Sequence, residues 1–411
     1  MVQANAERVL RDLYMLREIG RYETGVHRPT LCEEDMTTRR WLRDELTAIG
    51  HDAHIDGIAN VIGLSRAPGR KLLCGSHLET QSRAGWLDGV LGVVYALEAA
   101  RVLVESGRSD IGVDVIAFAD EEGHFGDMLG SRSLIGKVSE EIIDTARDRT
   151  SGLSMRRALE NAGLAHVSRA TLQRERYIGM FEAHIEQGPS LEADGLKIGI
   201  VTSIVGSRQF HIKATGVQNH AGTTRMNIRK DAGAALMRIY HGIETQFPTV
   251  ARPSTVWTVG KFALDPGAPA IVPGAAEMLF QFRDTDLELL ERMDTLLKEI
   301  VANENVNGPC EVTLTPQGSS VPAAMAQPMQ ATIEAAAESL VPGKHVRMPS
   351  GAGHDARTIS ELLPTAMMFI PSIGGVSHHY SEDTADADIR IGAQVFVEAV
   401  FRMLEDTGPN V

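Results

Sequence analysis

Four short apolar runs in this chain break directly into histidines or carboxylates, and helical stretches separate them. This pattern constrains the fold more than any other feature. Leu72-Leu73-Cys74 leads into Gly75-Ser76-His77-Leu78-Glu79. Val115-Ile116-Ala117-Phe118-Ala119 leads into Asp120-Glu121-Glu122-Gly123. The run from Tyr177 ends in Glu182-Ala183-His184, and the run ending at Ile370 precedes Ser377-His378-His379. Continuous apolar runs of this length read as buried strands. Strands alternating with helices imply an α/β architecture, a mostly parallel sheet covered on both faces. In such sheets functional groups gather at the carboxyl ends of the strands, where these polar clusters fall.

The remaining pattern organises the chain around that sheet. Residues 7–19 and 35–49 carry helical periodicity, with Asp35 as a cap for the second. Further strands are expected near 58–64 and at 112–119, and a long apolar helix from Gly89 to Glu105. Residues 138–176 read as a charged, helical, solvated excursion, and Ile198 to Ile204 as another strand. The pattern changes after Gly206. A strand at 208–215, a helix at 229–246, strands near 255–263 and 275–283, a helix at 286–303 and a strand at 310–315 give the order βαββαβ, a ferredoxin-like α+β sandwich. A helix at 327–340, a strand at 365–370 and a helix at 390–405 resume the first pattern. The expected organisation is one catalytic domain, residues 1–206 and 321–411, interrupted by a smaller domain at 207–320. No internal repeat or low-complexity linker is visible.

Charge and cysteines exclude several classes. Forty basic against 54 acidic residues leave a formal charge of −14. That balance argues against nucleic acid and against a polybasic membrane surface. Cys32, Cys74 and Cys310 are odd in number and lack CxxC spacing, so a reducing compartment fits. Met1-Val2-Gln3-Ala4-Asn5-Ala6-Glu7 has no basic-then-apolar leader pattern. No apolar run approaches the ~20 residues that span a bilayer. The expectation is a soluble cytoplasmic protein.

Each polar cluster has two readings. A histidine at a strand end, as at His77, is more often structural than a ligand. Asp88, in Gly85-Trp86-Leu87-Asp88-Gly89, opens the long helix, so it reads either as an N-cap or as a metal ligand. Asp120-Glu121-Glu122 is the strongest local signal. Three adjacent carboxylates repel, and a divalent cation compensates them best. Neighbouring glutamates can also divide labour, one binding metal and the other moving a proton. Taken together, three imidazoles and two or three carboxylates suit zinc first, with manganese, cobalt and nickel also able to accept the set.

With these residues in place, the chain resembles the hydantoinase/carbamoylase family of amidases, a branch of the dizinc aminoacylase and carboxypeptidase superfamily. Members include N-carbamoyl-L-amino-acid hydrolases, allantoate amidohydrolases and β-ureidopropionases. The resemblance runs through Gly75-Ser76-His77-Leu78, Asp88-Gly89, Asp120-Glu121-Glu122-Gly123, Glu182-Ala183-His184-Ile185-Glu186-Gln187-Gly188-Pro189, Asn219-His220-Ala221-Gly222-Thr223-Thr224, Ser350-Gly351-Ala352-Gly353-His354-Asp355-Ala356 and Ser377-His378. It implies two divalent cations per subunit. His77 and His184 would hold one, Glu122 and His378 the other, and Asp88 would bridge them. The choice of His378 over His379 rests on the family's Gly-x-Ser-His-x-x-x-Glu spacing, met by Gly375 and Glu382. Glu121 would be the general base for a hydroxide between the cations. His220 would stabilise the oxyanion from a lid and dimerisation domain, reaching into a partner subunit. Arg283 would pair with the substrate carboxylate, while Gln187, Asn219 and Gly353 would line the pocket. The implied partners are a small carboxylate-bearing substrate and a second copy of the chain.

Three positions depart from the family's pattern. Glu79 replaces an aspartate whose side chain orients the first imidazole. Ala270 replaces an asparagine that contacts substrate. Arg225 replaces a proline after Gly-Thr-Thr, and either meets substrate or sits in solvent. The leading expectation is hydrolysis of a linear amide or ureido bond in an N-carbamoyl or N-acyl amino acid. A dizinc aminoacylase or exopeptidase is the alternative, although peptidase branches usually carry a carboxylate at the His184 position. A non-catalytic binding protein would have no need of Glu121 and all five ligands.

Overall fold

The structure, a computed structural model, describes residues 2–406. The chain divides into two compact units. One comprises the residues up to Thr202 and those from Ala324 onward; the other is Ser203–Ala323.

A nine-stranded sheet carries the larger unit. Its four central strands, in the order Thr365–Ile370, Tyr177–Ile185, Lys71–His77 and Val113–Phe118, run parallel. Ile198–Ile204 joins Thr365–Ile370 antiparallel, and Val61–Leu64 and Asp52–Ile55 continue antiparallel beyond Val113–Phe118. The sheet is therefore mixed: parallel in the middle and antiparallel toward its edges. Short turns, such as the one between Asp52–Ile55 and Val61–Leu64, permit antiparallel neighbours, whereas parallel neighbours need long crossovers. Lys71–His77, Val113–Phe118 and Thr365–Ile370 are buried over their whole length, which explains the unbroken apolar runs.

The helix Val90–Glu105 lies against these strands. Every residue from Val90 to Leu103 is buried: the apolar majority calls for this, and the charged Glu98 and Arg101 are paired with Arg8 and Asp12. Gly92 sets its distance from the sheet, since a Cβ there would stand 2.3 Å from the Ala183 carbonyl oxygen. The C-terminal helix Asp386–Asp406 and the N-terminal helix Ala6–Glu18 pack over it.

Two local expectations are corrected. The second helix begins at Glu33, with Cys32 at its cap, so Asp35 lies inside the first turn. The Asp35 carboxylate instead accepts the Leu31 N–H and pairs with Arg39. Residues 138–176 are only partly helical, in Glu140–Thr145 and Met155–Asn161, each begun by a serine cap. Much of their apolar side is not solvated: Val138, Ile143, Met155, Ala158, Leu159 and Leu164 share a core with Ile58 and Leu129, while Leu153 and Val167 are exposed.

The smaller unit has its own core. Four antiparallel strands lie in the order Val256–Asp265, Ala275–Asp284, Gly206–Thr215 and Glu311–Ser320. The helices Ala232–Gln246 and Leu287–Asn307 cover one face through Phe210, Ile212, Met278, Phe280 and Phe282. A two-stranded pair, Asn219–His220 with Ile271–Val272, stands apart from that sheet. Among the described residues, no helix is long and apolar enough to cross a membrane.

Candidate metal centre

The strand ends of the larger unit bring His77, Asp88, Glu122, His184 and His378 together in two groups. His77, Asp88 and His184 form one, and Asp88, Glu122 and His378 the other; ligand atoms within each lie within 4.8 Å of one another. Asp88 belongs to both. Its Oδ1 faces Nε2 of His77 at 3.5 Å and Nε2 of His184 at 3.1 Å. Its Oδ2 faces Nε2 of His378 at 3.3 Å, and that nitrogen lies 3.7 Å from Glu122 Oε2.

The two readings of Asp88 can now be separated. Gly89, not Asp88, is the cap residue of the Val90–Glu105 helix, and no side chain caps that end. Gly89 has φ of +71°, and a Cβ there would lie 2.3 to 2.4 Å from the His77 ring. Only glycine fits both the left-handed backbone and the imidazole.

The donor chemistry fits divalent cations. Nδ1 of His77 bonds the Glu79 carbonyl and Nδ1 of His184 the Ile185 carbonyl, each at 2.9 Å. A ring nitrogen facing a carbonyl carries the proton, which leaves the lone pair on Nε2. The Gly89 N–H donates to that lone pair on His184. Lone pairs and a carboxylate repel unless a cation or a proton lies between them. With protons alone, the charges polarise strongly. Burial lowers the tendency of His77 to protonate, but Glu121 and Asp88 hold its pKa well above the usual histidine value. His378 is raised to about 9, chiefly by its contact with Asp88. Burial would raise Asp88, yet the three histidines hold it well below the usual carboxylate range. A group of this composition, buried except for the half-exposed His378, suits metal ligation.

Glu121 stands beside this group, with Oε2 3.7 Å from Nε2 of His77. Burial pushes its carboxyl well above the ordinary range. His77 opposes that shift, and Glu122, Asp355 and Asp88 reinforce it. Gln187 reaches the centre too, its amide donating to Asp88 Oδ2 at 2.9 Å and to Ser377 Oγ at 3.1 Å. Gly353 is half-buried, and a Cβ on it would approach Met128 at 3.0 Å and Arg357 at 3.7 Å.

The other expected site residues belong to the smaller unit. His220 is exposed, and its Nδ1 accepts the Gly222 N–H at 3.0 Å and the Thr223 N–H at 3.3 Å. Its Nε2 is therefore the protonated nitrogen, a hydrogen-bond donor. Asn219 Oδ1 accepts the His220 N–H. Ala270 meets this loop through its carbonyl, which accepts the Ala221 N–H. Arg283 lies on Ala275–Asp284 opposite Ser207 and Val256, with Nη2 3.3 Å from Gln281 Oε1. Arg225 is exposed.

Further residues hold the centre beyond the expected ligands. Gln81 gives its main-chain N–H to Glu122 Oε1 and its amide to Glu122 Oε2. Glu382 accepts the main-chain N–H groups of Leu87 and Asp88 and the Ser377 hydroxyl, joining the Asp88 turn to the His378 loop. Its spacing from Ser377 was the available clue. Glu79 orients His77 through its carbonyl rather than its side chain, a correction to the role implied for the family's aspartate. The extra methylene carries the carboxylate past the ring.

Comparison with known proteins assigns the chain to a family. The model of peptidase family M20/M25/M40 matches residues 74–402. The N-carbamoyl-L-amino-acid amidohydrolase of Paenarthrobacter aurescens is 31% identical over 97% of this chain and 98% of its own length. The allantoate amidohydrolase of Bacillus subtilis is 30% identical over 92% of this chain and 93% of its own. The crystal structure of a hydantoinase/carbamoylase family amidase from Burkholderia phymatum superposes with a TM-score of 0.91, at 42% identity, over 99% of both chains. The chain belongs to peptidase family M20/M25/M40, among its hydantoinase/carbamoylase amidases, and is a hydrolase of C–N bonds other than peptide bonds.

Proposed function

We propose that the chain is a binuclear metal-dependent amidohydrolase that cleaves the linear amide or ureido bond of an N-carbamoyl or N-acyl amino acid. The observation that carries this reading is the division of Asp88, whose two oxygens face two separate ligand groups while Glu121 stands at their edge. His77 and His184 would hold one cation, Glu122 and His378 the other, with Asp88 shared. Zinc suits the donor set first, and manganese, cobalt or nickel are alternatives. The cations supply positive charge that polarises the scissile carbonyl and acidifies water.

The protein's own groups do the rest. Glu121, beside His77 at the edge of the group, takes the proton of the attacking water and returns it to the leaving nitrogen. His220 offers its Nε2–H to the developing oxyanion, from a lid and dimerisation domain that serves the partner subunit. Arg283 pairs with the substrate carboxylate through a planar fork. Gln187, Asn219 and Gly353 line the pocket.

A hydrolysis screen tests this reading. N-carbamoyl, N-formyl and N-acetyl amino acids and allantoate are incubated with protein loaded with zinc, manganese, cobalt or nickel. Amine release from at least one class is expected, and release from none would refute the assignment. Glu121→Gln should keep its metal while kcat falls by roughly 10²- to 10⁴-fold. Undiminished turnover would remove Glu121 from the mechanism.

A further inference from the structure

The carboxylate of Glu79 has a task unlike the one its position suggests. Its Oε1 accepts the main-chain N–H of Glu121 at 2.6 Å. Its Oε2 accepts Nη2 of Arg39 at 2.5 Å. Arg39 is fully buried and directs its other N–H groups inward. Nε bonds both oxygens of Asp35, and Nη1 bonds the Ala59 carbonyl at 2.8 Å and the Phe118 carbonyl at 3.0 Å. Phe118 ends the strand that delivers Glu121.

The backbone between Phe118 and Glu121 needs such support. Asp120 sits at φ of +59°, a region that non-glycine residues seldom occupy. Its own carboxylate accepts the N–H groups of His124 and Gly126 and the Thr30 hydroxyl, which hold the turn from the far side. Arg39 and Glu79 hold it from the near side, one at Phe118 and the other at Glu121. A buried arginine between two carboxylates is costly to desolvate and contributes little net stability. Its geometric effect is specific, because it fixes the direction in which the Glu121 side chain leaves the backbone.

We infer that Glu79, anchored by Arg39, is a positioning residue for Glu121. The inference rests on the reading of Glu121 as the general base. An aspartate at this position, as in the family's pattern, falls one methylene short of both the Glu121 N–H and Arg39.

The test uses the metal-loaded enzyme and the amino-acid derivative it hydrolyses fastest in the screen. Glu79→Asp should lower kcat by about ten- to a hundredfold, as small displacements of a reacting group do. KM and metal content should stay unchanged. Glu79→Gln keeps the length but offers one acceptor to two donors, the Glu121 N–H and Arg39, and should lower kcat as well. In metal-free protein, amide exchange over residues 119–126, followed by mass spectrometry, should speed up in both variants. Were the side chain merely an orienter of His77, aspartate would serve at least as well. An undiminished kcat, or a loss that tracks lost metal, therefore overturns the inference. Placed on Glu121→Gln, the Asp substitution should add nothing; an equal loss in both backgrounds also overturns it. Full turnover by Glu121→Gln alone would remove the base reading, and the exchange rates would still decide whether Glu79 holds the segment. If Glu79→Asp does not fold, Arg39→Lys, which keeps the charge and loses the fork, carries the same expectations.

Discussion

Asp88 and His378 make proton and metal compete for one place. In the metal-free protein His378 is held to a pKa of about 9 by its contact with Asp88, above the ~6.5 of an unfolded histidine. The stabilisation this contact gives the metal-free fold is complete below pH ~6.5 and is lost as pH rises through 9. Metal affinity must run the other way, since the cation displaces that proton. Calorimetric titration in buffers of different ionisation enthalpy should find protons released on metal uptake at pH 7, and fewer above pH 9. Uptake at pH 7 with no proton release would contradict the assignment of His378 as a ligand. The cluster around these residues was legible because each member follows an apolar run or opens a helix. Gln81 and Arg39 were not. They act through main-chain N–H and carbonyl groups of residues distant in sequence, and such bonds leave no local pattern. The Glu79 carbonyl likewise does work that any residue's carbonyl could do, so its side chain misdirected the reading.

Elements fix how precisely those residues can be placed. The helix Val90–Glu105 lies against the strands that end in His77 and His184, and its closeness depends on Gly92. A methyl group there would stand 2.3 Å from the Ala183 carbonyl oxygen and 2.9 Å from the Ser76 Cβ. Neither neighbour is the free end of a flexible side chain. Gly92→Ala should therefore push the helix off both strands, costing about 1–3 kcal/mol. Lower thermal stability together with weaker metal binding is expected, measured by melting and by titration against a chelator. A variant that melts normally and binds metal normally would show that the helix tolerates the shift. At this scale the sequence conveyed the elements well where burial was uniform, as in Val113–Phe118 and Thr365–Ile370. It conveyed less where short helices are set by caps, as between residues 138 and 176, because charges on their outer faces hid the apolar side. The direction of the outer strands was also hidden, since pairing partners are chosen by topology and not by composition.

For the whole molecule, the proposed ligands all come from the unit built of the first 202 residues and those from Ala324 onward, while Ser203–Ala323 keeps a separate core. Anything that binds only the native state stabilises it, by about 2.7 kcal/mol at a hundred times the dissociation constant. Chelation should therefore lower the melting temperature of the ligand-bearing unit. Amide exchange in the sheet of Val256–Asp265, Ala275–Asp284, Gly206–Thr215 and Glu311–Ser320 should remain as it was. Equal destabilisation of both units would mean that the cations are also held from the smaller one.

The strand Thr365–Ile370 lies between Ile198–Ile204 and Tyr177–Ile185, two strands synthesised long before it. On the ribosome, the sheet must wait with that gap open until the chain has emerged as far as Ile370. His378 and Glu382 follow directly behind the missing strand. A nascent or truncated chain can therefore gather His77, Asp88 and His184 but cannot complete the second ligand group. On the proposed mechanism, a copy broken before Ile370 lacks both that strand and His378 and is expected to be inert without a separate inhibitor.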